Sequence, residues 1–349
     1  MALSQWVCLE MNRPPGLERC FMLVESPLTD RFARTFGYLR LSLTEKCNFS
    51  CSYCLPDGSE CHSMEGDLSP IEIRRLVTAF ALLGTQKIRL TGGEPSLRRD
   101  LCDIIKTCKN VAGINSVALT TNGFRLEKDV ASWRAAGLDA LNVSIDSLRP
   151  EMFQLITGSG KLRSILTGLD EAQALGFKQL KINTVLLREQ NARELDDFLA
   201  FIKTRRITLR FIELMRTGDN ADFFARQHLS GENIQQRLLS EGWTQKIRGA
   251  NTGPAKEFIH PDYTGSIGLI MPYSKNFCAD CNRLRVSSKA ELYLCLFAEQ
   301  HQSMRAFLQS DDPQPLMNFL RAALQHKTVS HDLQNQITGS TRHLAMIGG

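Results

Sequence analysis

Long apolar runs are missing from this 349-residue chain. None approaches the ~20 residues that a membrane-crossing helix requires, so an integral membrane protein is not expected. Phe21-Met22-Leu23-Val24 is too short for the hydrophobic centre of a secretory signal. Glu10, Glu18, Glu25 and Asp30 are out of place in an acid-poor transit peptide, so a cytoplasmic location is expected. Internal repeats are lacking, which excludes a solenoid, and there is no low-complexity tract. A strong charge bias is lacking too. The net charge of +5 and pI near 8.6 are too weak to argue for nucleic acid. They suit a small polyanion such as a triphosphate, or a basic surplus spread over solvated faces.

What is present is an ordinary globular composition, 43% hydrophobic and 23% charged, enough to bury a sizeable core. There are also 11 cysteines. In a reducing compartment such a number does not make a disulfide framework, so clustered cysteines are candidates for metal ligands.

Six β-rich runs alternate with helical patterns: Tyr38–Leu43, Lys87–Thr91, Ser116–Thr121, Ala140–Ile145, Leu180–Leu187 and Ile207–Leu214. One helix is predicted to start at the capping box Ser69-Pro70-Ile71-Glu72 and to stop at Gly84. Another places Leu162, Ile165, Leu166, Leu169, Ala172 and Leu175 on one face before Gly176. Successive strand–helix units imply a parallel α/β sheet, either an open partial (β/α)6 TIM-like barrel or a doubly wound sheet. Polar groups follow every strand, from the Cys47–Cys54 loop and Gly92-Gly93-Glu94-Pro95 to Thr120–Gly123, Ser144-Ile145-Asp146, Asn183 and Glu213-Leu214-Met215. A doubly wound sheet would gather them at one switch point, so the open barrel is preferred. The expected division is a loosely ordered extension at 1–34, the barrel at 35–245, and a smaller region at 246–349 covering the barrel mouth.

Cys47, Cys51 and Cys54 are spaced C-x3-C-x2-C. Three thiolates from one loop can hold three irons of a 4Fe-4S cluster and leave the fourth iron open. The alternative is zinc, with His62 closing the tetrahedron. With an aromatic residue before the last cysteine, and with Gly92-Gly93-Glu94-Pro95 one strand later, this loop resembles the radical S-adenosylmethionine superfamily. The resemblance implies that the open iron chelates S-adenosyl-L-methionine and that the reduced cluster cleaves it to a 5'-deoxyadenosyl radical. The glycines are expected to let the backbone approach the cofactor closely.

Cys278, Cys281 and Cys295 form a second triad, C-x2-C-x13-C, enclosing Asn282-Arg283-Leu284-Arg285. In an extended segment the two guanidiniums point the same way and can grip an anion. Cys102 and Cys108 read as helix-packing residues, and Cys61 as a bystander. The two triads, the N-R-L-R element and the terminal Gly348-Gly349 together resemble the GTP 3',8-cyclase family, from about Thr35 to the last residue.

That resemblance implies a lyase that opens molybdenum-cofactor biosynthesis. It implies two 4Fe-4S clusters, the first on Cys47, Cys51 and Cys54 and the second on Cys278, Cys281 and Cys295, whose open iron anchors guanine. It implies S-adenosylmethionine contacts from Tyr53, Gly93, Ser144 and Met215. It implies GTP contacts from Arg40, Arg89, Thr120, Lys181, Arg283 and Arg285, and a catalytic tail, Gly348 and Gly349, threading into the cavity. Hydrogen is expected to leave C3' of the ribose, and the carbon radical to attack C8 of guanine. The implied partners are GTP, an electron donor and a downstream pyranopterin synthase, with no nucleic acid or membrane and with a homodimer left open. The rival readings are a peptide-modifying radical enzyme and a two-zinc interaction module.

Overall fold

The computed structural model describes residues 26–59, 64–247 and 253–348. Cys8, Cys20, Cys61, His62, Gly349 and most of the expected extension lie outside the described residues. Among the described residues twelve strands form one sheet. They are β1 (Tyr38–Ser42), β2 (Lys87–Thr91), β3 (Ser116–Thr121), β4 (Ala140–Ser144), β5 (Gln179–Leu186) and β6 (Thr208–Glu213), then β7 (Thr244–Gln245), β8 (Lys256–Ile259), β9 (Ser266–Ile270), β10 (Arg283–Val286), β11 (Glu291–Tyr293) and β12 (Gln302–Ser303). Strands β1 to β6 are neighbours in chain order and all parallel. No reversal of strand order occurs, so there is no switch point, and the winding is that of a barrel.

The barrel stays open. Beyond β6 lies β9 and beyond β1 lies β10, both parallel to their neighbours. The antiparallel pairs β8–β7 and β11–β12 then finish the two edges. The region after residue 246 therefore extends the barrel sheet on both sides as well as lying against it.

Alternation along the strands explains both faces. Leu39 and Leu41, Ile88 and Leu90, Val117 and Leu119, and Ile182 point outward and are fully buried under the helices. Each such side chain is worth ~1.5–3 kcal/mol of burial. The inward positions carry Tyr38, Arg40, Lys87, Arg89, Thr120, Asn142, Lys181, Asn183 and Arg210. A barrel filled with apolar side chains would be a packed core. This one is polar inside, and it is hollow.

The outer helices start and stop where the chemistry requires. Helix Pro70–Leu82 opens with the Ser69–Glu72 capping box and turns off at Gly84, whose φ is +85°. Ile73, Leu76, Val77 and Phe80 form its buried stripe. Helix Leu162–Ala174 buries Ile165, Leu169 and Ala172. Its Gly168 lies so close to helix Leu126–Ala135 that a Cβ there would sit 2.4 Å from the Glu127 nitrogen. Residues 26–34 are more firmly placed than expected of a loose extension. Leu28 is buried, and its amide donates to the Leu83 carbonyl. Among the described residues no helix is long and apolar enough to cross a membrane.

Candidate active site

A cavity of about 430 Å³ occupies the barrel interior and is lined by all six triad cysteines. Register puts the triads at opposite ends of it. Cys47, Cys51 and Cys54 follow β1, at the C-terminal edge of the parallel strands. Cys278 and Cys281 precede β10, which runs parallel to β1, and so lie at the other edge. Strand β11 returns antiparallel, with Tyr293 opposite Arg285, and brings Cys295 to the same level.

The first loop is pinned from several sides. The Ser50 and Ser52 amides donate to the carbonyls of Thr157 and Ile156, and the Cys54 amide donates to the Cys51 carbonyl. Gly93 donates to the Thr44 carbonyl and Glu94 to the Lys46 carbonyl. A Cβ on Gly93 would meet the Lys46 oxygen at 2.3 Å and the Glu45 oxygen at 2.5 Å. The room left by this missing side chain is filled by the cysteine loop itself, which is a different reason for the glycine from the approach to a cofactor expected above. Buried Glu94 accepts from the Thr121 hydroxyl (2.7 Å) and from the amides of Asn122 (2.6 Å) and Ser96 (2.9 Å). It ties the ends of β2 and β3 together beneath the loop. The Tyr53 hydroxyl donates to Asp146 Oδ2 at 2.9 Å, and burial raises the Asp146 carboxyl to about 6.

Both triads suit iron–sulfur ligation. Burial raises the thiols of Cys47, Cys51 and Cys54, while N–H groups are aimed at the sulfurs of Cys47 and Cys54. Those donors come from Asn48, Phe49 and the Asn122 amide on Cys47, and from Leu344 and Ala345 on Cys54. In the second triad burial also opposes the thiolate, but hydrogen bonding by His331 and Ser330 brings Cys278 down to about 7. The charges of Lys327 and Arg283 bring Cys281 down, and burial raises Cys295. Among the described residues no three His, Cys, Asp or Glu side chains converge on a single-ion site. In a cluster each thiolate takes a different iron, so the ligands stand apart.

Between the triads the expected GTP contacts are brought together. Arg40, Arg89, Thr120, Lys181, Arg283 and Arg285 all line the cavity, as do Tyr53, Gly93, Ser144 and Met215. Arg283 and Arg285 flank buried Leu284 and share the inward face of β10. The Arg89 guanidinium donates to the Thr120 hydroxyl at 3.0 Å and to the Tyr38 hydroxyl. Among the inward positions of β1 to β6, three basic or phenolic residues escaped the sequence reading: Tyr38, Lys87 and Arg210. Each shares the inward face with a polar residue the sequence did single out, and that alternation was the available signal. Eight lysines and arginines line the cavity against three carboxylates, Asp146, Glu213 and Glu257. Arg210 Nε, Asn142 Oδ1 and Asn183 Oδ1 are buried and have no hydrogen-bond partner among the described residues. Such atoms fit a polar, polyanionic ligand.

Lys181 gives this electrostatic surplus a pH dependence. Its Nζ lies 3.5 Å from Glu257 Oε1, but burial and the Arg210 charge bring it down to about 7. It is therefore cationic below pH 7 and loses charge as pH rises through 7. GTP affinity is expected to weaken between pH 6 and pH 8, and Lys181→Met to flatten that slope, by calorimetric titration at several pH values. An unchanged slope in the variant would assign the pH dependence elsewhere.

The C-terminal tail runs down this cavity. Leu344 and Ala345 approach the Cys54 sulfur, and the Ser42 hydroxyl donates to the Met346 carbonyl at 3.4 Å. The Gly348 carbonyl accepts from Arg40 at 2.7 Å and from Arg285 at 2.5 Å. Arg285 also donates to the Ile347 carbonyl at 3.3 Å. Two side chains expected to grip GTP are thus already engaged with the tail. Gly348 has φ +64°, and a Cβ there would sit 2.2 Å from Thr91 Cγ2. Cys102 and Cys108 stand apart on helix Leu101–Asn110, with Cys108 buried in its packing.

An open parallel barrel with a thiol triad at the mouth defines a class, the radical S-adenosylmethionine enzymes. Residues 41–202 match the Radical SAM superfamily, and residues 207–333 match Molybdenum Cofactor Synthesis C. The solved structure of Streptococcus suis SuiB bound to S-adenosylmethionine shares the fold. It aligns with a TM-score of 0.55 at 13% identity, covering 83% of this chain and 68% of that one. Curated GTP 3',8-cyclases are far more similar. That of Haemophilus ducreyi is 54% identical over 92% of this chain and 95% of its own. That of Tolumonas auensis is 53% identical over 97% of this chain and 100% of its own. The chain belongs to the GTP 3',8-cyclase family of radical S-adenosylmethionine enzymes.

Proposed function

We propose that this chain converts GTP to 3',8-cyclo-7,8-dihydro-GTP, the first step of molybdenum-cofactor biosynthesis, using S-adenosylmethionine and two 4Fe-4S clusters. The observation that carries the proposal is one cation-rich cavity with a cysteine triad at each end. Cys47, Cys51 and Cys54 would hold the first cluster, and Cys278, Cys281 and Cys295 the second, each leaving one iron open. When bound and reduced, the first cluster would supply the electron for radical chemistry on S-adenosylmethionine, directed at the hydrogen on C3' of GTP.

The chain's own work is orientation and exclusion. Tyr53, Gly93, Ser144 and Met215 line the mouth and would receive S-adenosylmethionine. Arg89, Thr120, Lys181, Arg283 and, by their shared inward face, Lys87 and Arg210 would receive GTP and set its ribose toward the first triad. Arg40 and Arg285 serve in part through the tail they hold. We assign the barrel to about 35–245 and the second-cluster region to 246–349. The reading also calls for a one-electron donor, a downstream pyranopterin synthase and a reducing, cytoplasmic setting.

Anaerobic incubation with dithionite, S-adenosylmethionine and GTP tests the proposal by mass spectrometry. Equal amounts of 5'-deoxyadenosine and cyclic nucleotide are expected. S-adenosylmethionine cleavage indifferent to GTP would count against it. The substrate grip has its own test. Arg283→Ala should weaken GTP binding by one to two decades, the ~1.5–3 kcal/mol of a charged hydrogen bond, with iron content unchanged. Parental affinity would make Arg283 structural.

A further inference from the structure

Beside the second triad lies a buried lysine that the reaction does not obviously need. Lys327, just after helix Gln314–Leu324, is 3% exposed. Its ammonium donates a hydrogen bond to the carbonyl of Leu294, the residue before Cys295. It also stands 5.4 Å from the centroid of the Phe36 ring. Among the described residues no carboxylate forms an ion pair with it. A buried ammonium without an anion is strongly unfavourable. The carbonyl it holds belongs to the residue before Cys295, and its charge acts on the sulfurs of Cys281 and Cys295.

Its position is enforced. Arg34 donates to the carbonyls of Thr328 and Val329, both at 2.7 Å, and to the carbonyl of Cys278 at 3.1 Å. Arg34 is itself held by buried Asp30 through Nε at 2.7 Å and through its own amide at 3.0 Å. One guanidinium thus ties the segment carrying Lys327 to the loop carrying Cys278. The clamp has a fixed end in Asp30 and two loops at the other.

We propose that Lys327 is the built-in counter-ion of the second cluster, placed by Arg34, and that it raises the reduction potential of the iron held by Cys278, Cys281 and Cys295 without ligating it. The proposal rests on the second cluster being present, as argued above. Cluster potentials follow net charge and the hydrogen bonds to the sulfurs. One-electron reduction adds a negative charge to the cluster, and a fixed cation beside the triad stabilises that charge in a low-dielectric surrounding.

The test uses the reconstituted full-length enzyme, its Lys327→Met and Lys327→Arg variants, iron analysis, and a dithionite redox titration followed by EPR. Each protein is also prepared with Cys51→Ala, so that the signal of the second cluster stands alone. The parent should hold about eight irons; about four would overturn both the second cluster and this role. At the potential where the parent's second cluster is half reduced, Lys327→Met should show about a tenfold lower ratio of reduced to oxidised cluster, a midpoint about 59 mV more negative. Lys327→Arg should stay within about twofold of the parent. If Lys327→Met loses the second cluster and Lys327→Arg keeps it, the positive charge is required for assembly and the role stands. A parental midpoint in Lys327→Met with full iron, or equal iron loss in both variants, would overturn it.

Discussion

Removing Gly348 and Gly349 is expected to abolish cyclisation while iron content stays at the parental level. The tail passes Cys54 and sets the Gly348 carbonyl between two guanidiniums, those of Arg40 and Arg285. Truncation takes this acceptor from both cations and opens the space between the triads to water. A single substitution should act almost as strongly. Gly348→Val would put a branched side chain on a backbone at φ +64°, where such residues are rarely tolerated. It would also drive a carbon to 2.2 Å from Thr91 Cγ2. The tail or β2 must then move by about an ångström, and misplacement of that size costs ~100-fold in rate. The measurements are cyclic product by mass spectrometry and iron by colorimetric assay. Parental turnover by the truncated enzyme would show the tail to be dispensable. Loss of iron would make it a folding element instead.

The cysteine triads should separate cleanly. Cys51→Ala is expected to halve the iron, from about eight to about four per chain, and to eliminate 5'-deoxyadenosine altogether. Cys281→Ala should lose the other half and weaken GTP binding, while the first triad keeps its cluster. The separation follows from geometry, since the triads lie at opposite edges of the parallel strands and no described residue belongs to both. Stoichiometric zinc after anaerobic purification, with no absorbance near 400 nm, would replace both clusters with structural metal sites. Loss of all iron on changing one cysteine would mean that the triads do not fold independently.

Much of this site was legible in local pattern. Cysteine spacing, glycines beside a strand, and arginines two residues apart are short-range features, and the fold places all of them around one cavity. The polar groups that follow each of β1 to β6 also sufficed to separate a barrel from a doubly wound sheet. What was not legible depends on pairing across long separations. That Arg283–Val286 lies beside Tyr38–Ser42 is a matter of register between segments some 245 residues apart, and no local preference encodes it. Tyr38, Lys87 and Arg210 were passed over because a charged residue in a strand is as consistent with an outward ion pair as with an inward ligand. Only the pairing and curvature of the sheet decide its face. Arg34 looked like the frayed edge of an extension, yet it donates to carbonyls of residues 278, 328 and 329. Gly93 was singled out for backbone approach to a cofactor, and the close contacts its missing Cβ permits are with the carbonyls of Glu45 and Lys46.

The central claim is that this cavity presents C3' of GTP to a radical generated at the first triad. GTP carrying deuterium at C3' tests it most directly, in an anaerobic turnover with dithionite and unlabelled S-adenosylmethionine. The expected result is 5'-deoxyadenosine one mass unit heavier, with the label absent from C3' of the cyclic product. Unlabelled 5'-deoxyadenosine formed alongside cyclic product that retains the deuterium would contradict it.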